Sequence, residues 1–386
     1  MSYDPICTPP EAPEINARRI KAQAALAEAG LDALVLFNPD NIFYMTNFAN
    51  FVHERPFVLI LPAKGDPVFV MPRLEEPHVR IRSVGALEFA PYFEFPAPEG
   101  AGWGTKLQEV LSGVASVGIE ADCPRFLSDA LEGRETVCQI IEDLRAIKSS
   151  WEISRHHYSC DVMMLGLEEL LIQCKPGVLA MTAYGAASAK MTQKMFSDLP
   201  TANIFSTDLK AGAQPQKITH DPHNFTDFFI PFTEGGPHVA LAAGRANGYG
   251  AEVERTFFLD HVPEAAKRPF DVMMEARALA YDLAVPGAIM HDVDAAVNAL
   301  LRKAGYRDNL LHRTGHGFGV TGHEGPFLAE GDMREIRPGM VFSIEPGIYL
   351  PEVGGFRHSD TVLITETGNH NMTPYPDTLQ SLTLAI

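Results

Sequence analysis

The sequence predicts an α/β protein of two domains, the larger C-terminal one built from two similar halves. Helix and strand signals alternate through the first 150 of the 386 residues, and a short pattern then recurs at a fixed offset. With 46% apolar residues the chain has enough core-forming material for two or three domains. Pro13 opens a first helix, with Ile15, Ile20 and Leu26 at near-helical spacing and Gly30 as a left-handed stop. Residues 33–37 read as a buried strand closed by Asn38-Pro39-Asp40. Residues 57–61 and 67–71 read as a hairpin around Ala63-Lys64-Gly65-Asp66. A strand at 114–119 and a helix at 140–147 complete the first domain, 1–150, and the second occupies 151–386.

The recurrence is specific. Asp161-Val162-Met163-Met164 precedes Pro176-Gly177, and Asp271-Val272-Met273-Met274 precedes Pro286-Gly287, at an offset of 110 residues. Each copy reads as a long helix, a Pro-Gly turn and an amphipathic segment such as 292–304. Two similar halves leave a cleft on their shared axis, which suits a site drawn from both.

Composition narrows the function. A net charge of −18 supplies no basic face for nucleic acid or an anionic membrane, which leaves a small-molecule substrate. No apolar run approaches the roughly 18 residues of a membrane span. The start Met1-Ser2-Tyr3-Asp4-Pro5 lacks the basic and apolar regions of a signal peptide, so a cytoplasmic location is expected. Cys7, Cys123, Cys138, Cys160 and Cys174 are odd in number and scattered, as free thiols are.

Glu252, Glu254, Thr256 and Phe258 share one face of a predicted strand, which sets the two carboxylates about 7 Å apart. Such a pair needs a cation between its members or a proton on one of them. Residues 340–350 read as another strand with one acid, Glu345, in an apolar stretch where an unpaired charge costs several kcal/mol. His312, His316 and His323 lie in a run containing Gly315, Gly317, Gly319 and Gly322, where backbone can come close to a ligand. His238 begins a strand after Gly235-Gly236-Pro237. Acids stabilised by an organic cation, beside a neutral imidazole that moves a proton from water to a leaving nitrogen, make C–N hydrolysis the natural reaction class.

Gly315-His316-Gly317-Phe318-Gly319, Gly322-His323-Glu324, Ser343-Ile344-Glu345-Pro346-Gly347 and Gly355-Phe356-Arg357-His358-Ser359-Asp360 stand in the order and spacing of the pita-bread proteins. From Lys148 onward the chain resembles the creatinase and proline dipeptidase family, and the preceding part resembles that family's smaller α/β domain. The resemblance implies a pita-bread domain of two pseudo-twofold halves. Glu254-Arg255-Thr256 followed by two phenylalanines, and Pro338-Gly339-Met340-Val341, are similar to creatinase-type members in particular.

Five protein ligands hold two metals in enzymes of this kind, and their positions fall here on Leu241, Glu252, His316, Glu345 and Ser359. Leucine has no lone pair and serine is a poor divalent ligand, so the expectation is a metal-independent site without a cofactor. By the same resemblance His238 becomes the base that activates water, and Glu254 and Glu345 hold a cationic group. His316 and His323 then line the pocket, and Arg55, in Phe51-Val52-His53-Glu54-Arg55, reaches a neighbouring subunit's site in a homodimer. Phe327 occupies the place of a second carboxylate-binding arginine, Ser359 replaces a histidine with His358 beside it, and Glu252 is an additional acid. The implied substrate is a small cationic or zwitterionic molecule. Two other readings stand beside this one: a metal-dependent Xaa-Pro dipeptidase or aminopeptidase with one ion on Glu252, Glu254, His316 and Glu345, and a non-catalytic binding protein on the same fold.

Overall fold

The structure is a computed structural model that describes residues 4–50, 54–224 and 227–386. It divides into two compact units, Thr8–Arg145 and Ala146–Ile386, the latter joined by the segment ending at Cys7. Among the described residues no helix is long and apolar enough to cross a membrane.

The first unit holds α1 (Ala12–Ala29), β1 (Ala33–Leu36), α2 (Pro39–Thr46), β2 (Val58–Pro62), β3 (Val68–Pro72), α3 (Glu76–Arg82) and β4 (Glu88–Tyr92). It continues through α4 (Trp103–Val110), β5 (Val117–Ile119), α5 (Arg125–Ala130), β6 (Glu135–Val137) and α6 (Ile140–Ala146). Its strands form one sheet in the order β4-β3-β2-β1-β5-β6 over a core that includes Val35, Ile60, Val70 and Val117. β2 and β3 pair antiparallel, as the hairpin reading expects. Gly30 ends α1 at φ 68°. Asn38-Pro39-Asp40 does more than stop a strand, because the Asn38 side chain accepts the Asp40 and Asn41 N–H groups and starts α2. β5 begins at Val117 rather than 114, since the Ala115 and Ser116 N–H groups turn to the Asp32 carboxylate.

The second unit opens on α7 (Ser150–Gln173), capped by a reciprocal Ser149–Glu152 box. α8 (Ala180–Asp198), β7 (Asp208–Gln214), β8 (Gly235–Ala246) and β9 (Tyr249–Leu259) complete its first half. The second half repeats the plan with α9 (Glu264–Leu283), α10 (Met290–Lys303), β10 (Gly315–Gly317), β11 (Glu324–Leu328), β12 (Val341–Ile344), β13 (Gly347–Leu350), β14 (Gly354–Arg357) and β15 (Ser359–Thr365). β16 (Gly368–Asn371) and β17 (Thr383–Leu384) end the chain. The repeated Asp-Val-Met-Met segments lie in α7 and α9, and each following Pro-Gly turn carries its glycine at positive φ, 83° at Gly177 and 89° at Gly287. Each half buries its own helices: Met163, Leu167, Met191 and Val253 in one core, Met273, Val293, Phe342 and Val362 in the other.

The halves share one sheet in the order β11-β10-β12-β15-β9-β8-β7. Their seam is the antiparallel pairing of β15 with β9, where Ser359 opposes Glu254 and Asp360 opposes Val253. Buried Asp360 locks the seam by accepting from Arg255 at 2.7 Å and from Arg277 of α9. Residues 340–350 are two strands, not one. Pro346 has no N–H to continue the ladder, so β12 stops at Ile344 and β13 joins β14 in a separate pair, leaving Glu345 at the break.

Candidate active site

The site lies on one face of the shared sheet. Leu241 on β8, Glu254 on β9 and Ser359 on β15 oppose one another in register and form a row across three strands, with Glu252 one step along β9. β10 presses against β12 at Gly315, where any side chain would meet the Ser343 carbonyl oxygen at 2.0 Å. That approach lets Ser343 Oγ accept the His316 N–H at 2.9 Å and donate to Glu345 Oε1 at 3.1 Å. His316 Nε2 then stands 3.4 Å from Glu345 Oε1, and the His316 and His323 rings stack with centroids 3.7 Å apart.

Two adjoining cavities meet at these groups. One of about 210 Å³ is lined by Glu252, Glu254, Arg313, His323, Glu345 and Arg357. The other, about 540 Å³, shares Leu241, Glu252 and His323 with it and adds the apolar walls of Tyr184, Phe228 and Phe318.

The electrostatics separate the acids. Burial, then Glu345 and Glu254, push Glu252 well above the usual carboxylate range, so it keeps its proton. Glu345 lies below that range, because His316, His312 and His323 outweigh its burial. Burial lowers His316, and burial with His316 lowers His323 to about 4, so both imidazoles are neutral near pH 7. The cluster therefore offers one carboxylic acid, one carboxylate and two neutral imidazoles.

The structure revises several expected roles. Glu254 is not free to hold an organic cation. Arg357 Nε donates to its Oε1 at 2.6 Å, and burial raises Glu254 to about 7 against that pairing. His238 is not a base in the cavity. It opposes Phe257 on the other face of β8, where Nδ1 accepts from the Gln216 N–H at 3.0 Å and Nε2 donates to the Thr233 carbonyl at 2.9 Å. His358 is likewise spent, accepting the Thr256 N–H at 3.1 Å and lying 3.2 Å from the Asp377 carbonyl in full burial. Phe327 opposes His316 in register, and its ring carries the Arg313 guanidinium. Ser359 is buried beside Glu254. His312 meets the Tyr349 hydroxyl at 2.6 Å. Arg55 belongs to the first unit, where it pairs with Glu54 and, at 2.6 Å, with Glu94. Phe51, Val52 and His53 lie outside the described residues.

Sequence reasoning missed Arg313, Arg357, Tyr349 and His223 as lining groups. Arg357 stands within the Gly355-Phe356-Arg357-His358-Ser359-Asp360 motif. Arg313 stood two residues before Gly315, at the edge of the glycine-rich run.

Residues 154–366 match the family described as "Metallopeptidase family M24", and residues 18–147 match "Creatinase/Prolidase N-terminal domain". The "Putative dipeptidase YkvY" of Bacillus subtilis is 27% identical over 361 residues, 92% of this chain and 96% of the relative. An "Xaa-Pro dipeptidase" of Pyrococcus horikoshii is 28% identical over 279 residues, 69% of this chain and 75% of the relative. The crystal structure of dipeptidase PepE from Mycobacterium ulcerans superposes with a TM-score of 0.81 at 23% identity, covering 98% of this chain and 100% of that one, which shows the fold.

The family's name implies metal, and the donor set tests it. A pair of ions does not fit, because Leu241 offers no lone pair, Ser359 is a weak ligand and Glu254 is held by Arg357. One ion does fit: ligand atoms of Glu252, His316 and His323 all lie within 4.8 Å of one another. Among the described residues Glu252 Oε1 and His316 Nε2 are buried without hydrogen-bond partners, so two of the three donors are already desolvated and uncommitted.

Proposed function

Because the chain belongs to metallopeptidase family M24, we propose that it hydrolyses the C–N bond of a small, dipeptide-sized substrate, as an Xaa-Pro-dipeptidase-like enzyme with an altered, single-ion metal box. The observation that carries this reading is the convergence of Glu252, His316, His323 and Glu345 on one cavity. The names of the relatives support a peptide bond over an amidine.

Glu252, His316 and His323 would hold the ion, which supplies Lewis acidity toward the scissile carbonyl. Glu345 is the ionised group, and it takes a proton from the attacking water and returns it to the leaving nitrogen. Ser343 fixes the carboxylate against His316 for both transfers. The apolar walls at Tyr184, Phe228 and Phe318 receive the substrate's side chain and keep bulk water from the reacting bond.

A metal-free, creatinase-like mechanism is the second reading, favoured by Leu241 and by the protonated state of Glu252. There Glu252 itself gives the leaving nitrogen its proton. Homodimeric assembly and a cytoplasmic location also belong to the proposal, the first supported by the creatinase resemblance and the second by five free cysteines, which suit a reducing compartment.

Elemental analysis joined to turnover of a panel of Xaa-Pro dipeptides and small amides tests it. The expected result is close to one equivalent of metal per chain, activity lost on chelation and regained with manganese or zinc. Full turnover by metal-free protein would transfer the reaction to the second reading. Two tightly held equivalents would refute the single-ion site, and inertness across the panel would point to a binding protein.

A further inference from the structure

Arg313 lines the smaller cavity beside Glu345 and His323, yet it is committed to none of the acids there. Its Nε donates to the Gly315 carbonyl at 3.2 Å, and its guanidinium lies over the Phe327 ring with the central carbon 4.7 Å from the centroid. These two contacts fix the plane of the fork. Among the described residues neither Nη has a hydrogen-bond partner and no carboxylate lies within ion-pair distance of Arg313. The cavity's other arginine, Arg357, is tied to Glu254, Gln214 and the Pro222 carbonyl.

We propose that Arg313 binds the carboxylate of the substrate and so selects zwitterionic molecules with a free acid end near the scissile bond. A guanidinium with its plane set and its outer edge open suits bidentate recognition of a carboxylate. Phe327 supplies the platform. It opposes His316 in register, so the ring that orients the cation sits on the same sheet face as the imidazole of the reacting cluster. Arg313 also answers a charge problem. The ionised Glu345 would repel an anionic substrate end, and an uncommitted cation at the wall of the same cavity gives that end one place to dock. Phe327 and Arg313 together thus rebuild an anion site at a position where the sequence alone shows only a lost arginine.

The inference rests on the hydrolase reading for its substrate, and on the contacts of Arg313 for its place. Two measurements on the full chain keep the two apart. In the first, kcat/KM is compared for an Xaa-Pro dipeptide and its C-terminal carboxamide in wild type, Arg313→Met, Arg313→Lys and Phe327→Leu. Wild type is expected to prefer the free acid by at least tenfold, chiefly in KM. Arg313→Met should abolish that preference by lowering kcat/KM for the free acid at least tenfold more than for the amide, and Arg313→Lys and Phe327→Leu should fall between. In the second, calorimetric binding of proline and prolinamide is compared for the same proteins, with melting curves to show that each is folded. Selective proline binding that disappears in Arg313→Met, in a protein that hydrolyses nothing, upholds the anion site and removes the hydrolase. An acid-to-amide ratio unchanged by Arg313→Met, or a folded wild type that recognises neither acid, overturns the proposal.

Discussion

Arg357 donates from Nε to Glu254 Oε1 at 2.6 Å with both residues almost wholly buried, and this pair occupies the row where Leu241 and Ser359 face each other across β9. A permanent protein cation thus neutralises one of the two strand acids. The other, Glu252, is left to a proton or an ion.

Removing one member of such a pair strands a buried charge. Arg357→Met is expected to destabilise the chain by about 3 to 5 kcal/mol, whereas Arg357→Met combined with Glu254→Leu should recover much of that loss. Urea unfolding of the single and double variants measures both. Equal stability of Arg357→Met and wild type would show that the pair does not hold this face.

The creatinase resemblance places both Glu345 and His238 in the reacting site, and the geometry separates them. Glu345→Gln should lower kcat by about 10² to 10⁴ in a folded protein. His238→Ala should instead cost about 1 to 3 kcal/mol for each of the two backbone partners it leaves unpaired, with kcat changed by less than about tenfold. A His238 variant of full stability and negligible turnover would restore it to the mechanism.

The first unit carries a pH-sensitive acid. Burial raises Glu120 from 4.5 to about 7, against the N–H groups of Phe37 and Asn38 that favour its charged form. The folded state therefore binds the proton more tightly than the unfolded one. Stability from this group is fully present below about pH 4.5 and is lost as pH rises through 7, on the order of 3 kcal/mol in all. Between pH 5 and 8.5, wild type should lose stability and Glu120→Gln should lose much less. Parallel curves for the two proteins would count against the assignment.

Arg55 is held by Glu54 and Glu94 of its own unit. Arg55→Ala is accordingly expected to leave kcat/KM within about threefold, as exposed pairs contribute little. Mixing Arg55→Ala chains with Glu345→Gln chains should give no more activity than the Arg55→Ala share accounts for. Activity above that share, after demonstrated exchange, would place the arginine in a neighbouring chain's site as the creatinase resemblance implies.

How much of the site was legible in sequence depended on what each residue's position required. His316, His323 and Glu345 could be found because a glycine-rich run and a lone acid in an apolar stretch are local signals. The duplicated halves were equally visible, since the repeated segment and its Pro-Gly turn mark corresponding helices. Facing was harder. His238 lies three residues before Leu241, so strand alternation alone sets it on the opposite side, but which side faces the cavity is decided by the tertiary placement of β8. The commitment of Arg357 to Glu254 joins residues 103 apart in the chain, which no local pattern reveals. The stacking of Arg313 on Phe327 likewise depends on the β10–β11 register.

The seam between β9 and β15 also sets an order of events. The core under α7 and α8 already draws on the second half through Phe318, Val341 and Leu363, and Arg255 and Asp360 must close a loop of 105 residues to lock the sheet. Glu252 and Glu254 come from one side of that closure, and His316, Glu345 and Arg357 from the other. A refolding chain would therefore regain reactive competence only once that long-range seam has closed, however early its helices form.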